Sequence, residues 1–134
     1  MKKFILRALG FLHNFGFIRG TALLLKTHTG FISKLNIPNI QHPINLRKNT
    51  SDLPTFLQVF IDREYKINFD NPKVIFDCGA NIGLFAIQIK NEFPDAQVIC
   101  VEPDPENFNQ LQKNLAAYDG IFYEIAAFGT GIQN

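Results

Sequence analysis

A chain of 134 residues is long enough for one domain with a real core and too short for two comfortable ones, and its apolar fraction of 46% is ordinary for a globular fold. The net charge of +1 hides an asymmetry: residues 1–50 hold eight Lys or Arg and no acid, whereas from Ser51 onward twelve acids face five bases. Repeats and low-complexity tracts are absent, no uncharged apolar run reaches the roughly 18 residues of a bilayer-spanning helix, and two cysteines without histidines at ligand spacing give no reason to expect a metal site.

The first 45 residues read as a basic helical extension of one or two short helices, with Gly10, Gly16, Gly20 and Gly30 as interruptions. Phe4, Ile5, Ala8, Leu9 and Leu12 fall on one helical face, which is expected to pack on the domain. A basic amphipathic helix also suits a membrane surface, so peripheral membrane contact through residues 1–30 is the other expectation for this segment. Arg7, His13 and Arg19 break the apolar stretch too early for a secretory signal. A loop marked by Pro38 and Pro43 follows. The next helix is predicted from Asp52 to near Tyr65, with Ser51 or Asp52 as its cap, Pro54 in its first turn, and Phe56, Leu57, Phe60 and Ile61 as its apolar stripe.

Beyond the turn at Phe69–Lys73 the pattern changes. Val74-Ile75-Phe76 is a short, wholly apolar run, as expected of a parallel strand covered on both faces. A helix from Ile82 to Glu92 follows, stopped by Pro94, and then a second buried strand at Val98–Val101. Glu106 to Tyr118 is predicted helical, Asp119-Gly120 a turn, and Ile121 to Ile125 a third strand. Strand, helix, strand, helix, strand at these lengths predicts an α/β fold: the first βαβαβ half of a Rossmann-like parallel sheet, spanning residues 46–134 and preceded by the N-terminal helices. Right-handed crossovers place the first strand at one edge, beside the second. The few residues after Gly129 cannot supply another strand and helix, so the domain is expected to be incomplete, with an open edge on its first strand. Cys78 and Cys100 sit in the β-like runs, which predicts buried, reduced thiols in a cytoplasmic protein.

The informative residues are Asp77-Cys78-Gly79-Ala80-Asn81-Ile82-Gly83, at a strand-to-helix turn. Gly79 allows a tight turn and close approach of a ligand, Gly83 allows close packing or a further approach, and Asp77 aims a carboxylate at the crevice where open α/β sheets bind ligands. Glu102 ends the second strand, where an ionised carboxylate can accept both hydroxyls of a ribose. The spacing G-x-N-x-G departs from the nicotinamide fingerprint G-x-G-x-x-G, and Asp77 would oppose a pyrophosphate. An ammonium and a sulfonium would instead be welcome beside it. The electrostatics therefore favour S-adenosylmethionine over a dinucleotide, and an NAD(P)-dependent oxidoreductase is the lesser reading.

Three ordered segments, "INLRKNTSDLPTFLQVFIDREY", "VIFDCGANIGLFAIQ" and "VICVEPDPENFNQLQKNL", resemble the FkbM-type methyltransferases over about two thirds of the chain. The resemblance implies an S-adenosylmethionine-dependent methyltransferase acting on a hydroxyl of a sugar, glycolipid or polyketide-type small molecule. Carried over by position, Asp77, Gly79, Ala80, Asn81 and Gly83 would bind the methionine end of the cofactor, Glu102 the ribose, and Pro103 and Asp104 the adenine side. Ser51, Asp52, Glu64 and Tyr65 match the family's upstream segment, but capping accounts for the first two equally well, and no catalytic residue is assigned. A non-catalytic reading also stands: an inactive cofactor-binding fragment with a membrane-surface arm. Nucleic acid is not expected as a partner, since no aromatic-basic interleaving accompanies the charge.

Overall fold

The computed structural model describes residues 2–28, 34–65 and 68–126, with the side chains of residues 2–4, 27 and 28 left aside. It divides into two compact units, residues 1–68 and 69–134.

In the first unit, α1 (Lys2–Phe15) and α2 (Phe17–His28) form a helical hairpin. Of the glycines predicted to interrupt this region, only Gly16 does so, turning the chain at φ 75°. Gly20 lies inside α2, where a Cβ would come within 2.5 Å of the Phe11 carbonyl oxygen, so it permits backbone-close packing of the two helices. Gly10 lies inside α1, where a Cβ would meet Ile61 Cγ2 at 2.9 Å. The predicted break at Gly30 falls outside the described residues. The predicted packing face of α1 is corrected by the structure: Ile5 and Leu9 are 52% and 56% exposed, while Phe11 is buried. The reason is the partner: with Gly10 against Ile61 and Phe11 against α2, the helix turns a different face inward than its apolar count suggests.

Pro38 and Pro43 lie in a loop bracketed by two short antiparallel strands, β1 (Lys34–Leu35) and β2 (Ile44–Asn45), which the sequence pattern did not reveal. Then α3 (Asp52–Phe56) continues into a π-helical turn, Leu57–Ile61. The helical segment ends four residues short of Tyr65, because Arg63 takes a left-handed φ of 50°. Asn14 of α1 donates its amide to the carbonyls of Phe60 and Ile61 at 3.3 and 3.2 Å, satisfying carbonyls that the end of a helix leaves open. The expected cap is also corrected. Ser51 makes no side-chain cap hydrogen bond, and Asp52, fully buried, turns back to Arg47.

The second unit is a Rossmann-like α/β half-sheet: β3 (Val74–Cys78), α4 (Leu84–Glu92), β4 (Gln97–Val101), α5 (Pro105–Leu115) and β5 (Ile121–Glu124). The strands are parallel in the order β3-β4-β5. Both crossover helices cover the face that carries Ile75, Val98 and Cys100, all buried with Ile87, Leu111 and Leu115 from the helices. Each such side chain contributes roughly 1.5–3 kcal/mol of burial energy. The opposite face is open among the described residues, contrary to the expectation of a strand covered on both sides. Phe76, Ile99 and Phe122 are paired in register across it, and Val74, Phe76 and Phe122 are 49%, 66% and 51% exposed. Period-two alternation puts Cys78 on this same open face, so it is exposed, whereas Cys100 is buried as predicted.

Candidate functional site

Five residues, Gly79 to Gly83, connect β3 to α4, and three of them have left-handed backbones: Gly79 at φ 84°, Asn81 at 50° and Gly83 at 82°. Glycine meets that demand without strain, and asparagine is among the side chains that tolerate it best. Because Gly83, inside the predicted helix, is left-handed, α4 begins at Leu84 rather than at Ile82. The loop is tied to the end of β4, since the amides of Gly79 and Ala80 both donate to the Val101 carbonyl, at 2.8 and 3.0 Å. From α5, the buried Asn114 amide donates to the Ile82 carbonyl at 2.9 Å. The glycines differ in what surrounds them. A Cβ at Gly79 would meet nothing within 4 Å, so the loop is open there. A Cβ at Gly83 would lie 2.9 Å from Leu115 Cδ1, so this glycine lets α5 pack against the turn.

Glu102, at the end of β4, is 5% exposed and bridges the two loops. One carboxylate oxygen accepts the Asn81 backbone N–H at 2.7 Å, and the other accepts that of Asp104 at 3.0 Å. The structure thus brings Asp77, Asn81 and Glu102 together at the C-terminal end of the sheet. Pro103 and Asp104 are exposed at the start of α5. There the Asp104 side chain accepts the Asn107 N–H at 2.8 Å, an N-cap followed by proline at the first helical position. The helix thus starts at Pro105, one residue ahead of the predicted Glu106, and Asp104, expected only on the adenine side, is its cap.

Two buried oxygens in the cluster have no hydrogen-bond donor among the described residues: Asp77 Oδ2 and Asn81 Oδ1. Buried polar atoms are nearly always satisfied, so a pair of open acceptors at one turn is an unusual concentration. Burial, and after it the charge of Glu102, pushes the Asp77 carboxyl up to about 6. Asp77 pairs in register with Cys100, and Cys100 with Tyr123, so three titratable groups line up across the helix-covered face. Burial and then Asp77 push the Cys100 thiol up to about 12, and burial and then Cys100 raise Tyr123 above its ordinary value. The cluster therefore carries a surplus of negative charge and acceptors, and it suits a ligand that brings donors and positive charge.

Sequence reasoning missed the support that Asn114 gives this site. It also missed that Lys90, at the other end of α4, is buried and donates its ammonium to the carbonyls of Pro94 and Ala96. Nothing in the local pattern marks a lysine on a mostly apolar helix as an internal cap. Among the described residues there is no group of three or more His, Cys, Asp or Glu able to hold a metal ion. No described helix is long and apolar enough to cross a membrane.

No family model matches the chain. It is 37% identical over 67 residues to methyltransferase sdnD of Sordaria araneosa, covering 49% of this chain and 26% of that protein. It is 32% identical over 63 residues to Methyltransferase 1 of Beauveria bassiana, covering 46% and 25% respectively. A third similarity, 28% over 104 residues, covers 75% of this chain and 5% of the AMB antimetabolite synthetase AmbE of Pseudomonas aeruginosa. The chain thus spans about a quarter of the length of the two methyltransferases that it matches.

Proposed function

We propose that the turn from Asp77 to Gly83 binds S-adenosylmethionine and that the chain supplies the cofactor-binding segment of an FkbM-type methyltransferase, acting on a hydroxyl of a sugar, glycolipid or polyketide-type product. The observation that carries this reading is the pair of buried acceptors without donors, Asp77 Oδ2 and Asn81 Oδ1, at the end of a parallel strand. An amino-acid ammonium brings three donors and a positive charge, which would relieve both the open valences and the raised carboxyl of Asp77.

The other residues fit the same group. Gly79 leaves open space where any other side chain would begin. Glu102 Oε2 accepts the Asn81 N–H and keeps a further lone pair for a ribose hydroxyl. Its Oε1 accepts the Asp104 N–H and, at 3.5 Å, the Asn107 side-chain amide, the weaker bond that a second hydroxyl would replace. Pro103 and Asp104 border the same end of the sheet and would flank the adenine. When bound, the cofactor supplies a methyl group activated on a sulfonium. What this chain contributes is position and charge: Asp77 fixes a cationic end, Glu102 holds the two loops in register, and α5 braces the turn through Asn114. The similarity to two proteins named methyltransferases supports the same reading from a separate direction.

Calorimetric titration of S-adenosylhomocysteine into the chain, with Asp77→Asn and Glu102→Gln alongside, tests the proposal. Saturable binding weakened about tenfold or more in both variants is expected, each losing an interaction with a charged or hydroxyl group worth about 1.5–3 kcal/mol. A chain that is folded by circular dichroism yet binds nothing would sink it.

A further inference from the structure

The two most exposed large apolar side chains among the described residues stand on the helical hairpin, away from the candidate cofactor turn in sequence. Phe17 and Ile18, immediately after the left-handed Gly16, are 78% and 83% exposed, the highest values among the large hydrophobics described. They form the tip of the hairpin. Leu25, 60% exposed, follows Ile18 at helical spacing along α2, and Ile5, Leu6 and Leu9 are exposed on α1. The two helices contain Lys2, Lys3, Arg7, Arg19 and Lys26 and not a single acid. Arg19 and Lys26 border a cleft of about 350 Å³ against Asn36, Ile37 and Pro38, with the buried Leu23 between them.

We infer that this hairpin docks on an anionic lipid bilayer. Phe17 and Ile18 enter the headgroup–acyl boundary, and Arg19 and Lys26 meet lipid phosphates at the cleft. Charge complementarity identifies the occupant. Arg7 on α1 pairs with Asp62 at 3.4 Å, so it is α2 that identifies the partner. An apolar tip alone would fit any greasy partner, and a basic arm alone would fit nucleic acid. An apolar tip followed by Arg19 and Lys26 on a helix that holds no acid matches a surface that is itself apolar beneath an anionic layer. Burial of the tip and attraction of the rim act together, which is what lasting attachment of a short amphipathic segment requires.

The chain contains no tryptophan, so Phe17→Trp gives a single reporter at the tip. The full chain carrying it is mixed with vesicles of phosphatidylcholine, alone or with phosphatidylserine, at low and high salt. The expected result is co-sedimentation with the anionic vesicles, a blue-shifted emission on binding, and loss of binding as salt rises. In the otherwise natural chain, the double variant Phe17→Ser with Ile18→Ser lowers partitioning by about 100-fold, roughly tenfold per apolar side chain. Arg19→Gln with Lys26→Gln lowers it by about 25-fold, at roughly fivefold per cation. All four positions are exposed, and unchanged helical circular dichroism verifies that the variants remain folded. The inference is overturned by an unshifted emission with anionic vesicles, by equal salt-independent binding to neutral ones, by nucleic acid binding without lipid binding, or by a dimer that the Phe17→Ser/Ile18→Ser variant dissolves.

Discussion

Replacing Asp77 by asparagine tests the electrostatics of the candidate site without changing its shape. The Asp77 carboxyl titrates at about 6 instead of its ordinary 3.8, first because it is buried and then because Glu102 is near. A rise of that size means that holding the carboxylate ionised in the fold costs about 3 kcal/mol, at about 1.4 kcal/mol per unit. The sign follows from linkage. A group whose folded-state value is raised contributes stability that is fully present below about 3.8 and is lost as pH rises through about 6. At pH 7 the natural chain bears the whole cost, and the neutral amide bears none of it. Asp77→Asn is therefore expected to be more stable than the natural chain at pH 7 by about 1–3 kcal/mol, the lower figure allowing for an amide that needs its own partners. In urea denaturation followed by circular dichroism this is a midpoint shift on the order of 1 M. The advantage should shrink to nothing near pH 3, while binding of S-adenosylhomocysteine weakens at pH 7. Equal midpoints at pH 7, or a gap that widens toward acid, would refute the reasoning.

Other outcomes follow from the same geometry. Binding of a ligand with a cationic end selects ionised Asp77, so its affinity is expected to be level above about pH 6 and to fall roughly tenfold per unit below it, measured by titration across pH. Although burial pushes Asp52 up, hydrogen bonds from the Arg47 side chain at 2.7 and 3.1 Å, from its backbone and from Thr50, with the guanidinium's charge, hold it below its ordinary value. Asp52→Asn should accordingly cost about 1–3 kcal/mol in a thermal or urea melt, since it removes charge-assisted hydrogen bonds to a half-buried Arg47. Gly83→Ala forces a side chain into a left-handed backbone and against Leu115, and a loss of about 1–3 kcal/mol is expected in the same melt. Glu102→Gln can accept only one of the two backbone N–H groups that the carboxylate holds, so protection of the Asn81 or the Asp104 amide in hydrogen exchange should fall.

The half-sheet was legible because its signals are local and repeated. Val74-Ile75-Phe76 and Val98–Val101 are apolar strands, Leu111 and Leu115 lie one helical turn apart, and Pro94 and Asp119-Gly120 punctuate them. Asp77, Gly79, Asn81, Gly83 and Glu102 could be singled out as chemistry at strand ends, and the fold brings the two strand ends together. What escaped depends on partners remote in sequence or on elements too short to repeat. The two-residue strands β1 and β2 have no period to detect. Asp52 looked like a cap because caps have that residue type, but Arg47 claims its carboxylate. The apolar run Val74-Ile75-Phe76 reads as a strand covered on both faces, and Cys78 therefore as buried, whereas alternation sets Phe76 and Cys78 opposite Ile75. Alternation could not say which face the helices would cover, and the right-handed crossovers put both on one side. The apolar stripe of α1 was readable, but not that Phe11 would be the residue turned inward.

The contrast between the two cysteines has a practical consequence for following this molecule. Cys100, buried and with its thiol pushed up to about 12, carries almost no thiolate at neutral pH and should ignore an alkylating dye. Cys78 is exposed and stands one residue before Gly79. The natural chain therefore offers a single labelling position, placed at the hinge between strand and turn. The rate at which a maleimide finds that thiol becomes a clock for the loop, and any molecule that settles over Gly79 will be seen as a slowing of it.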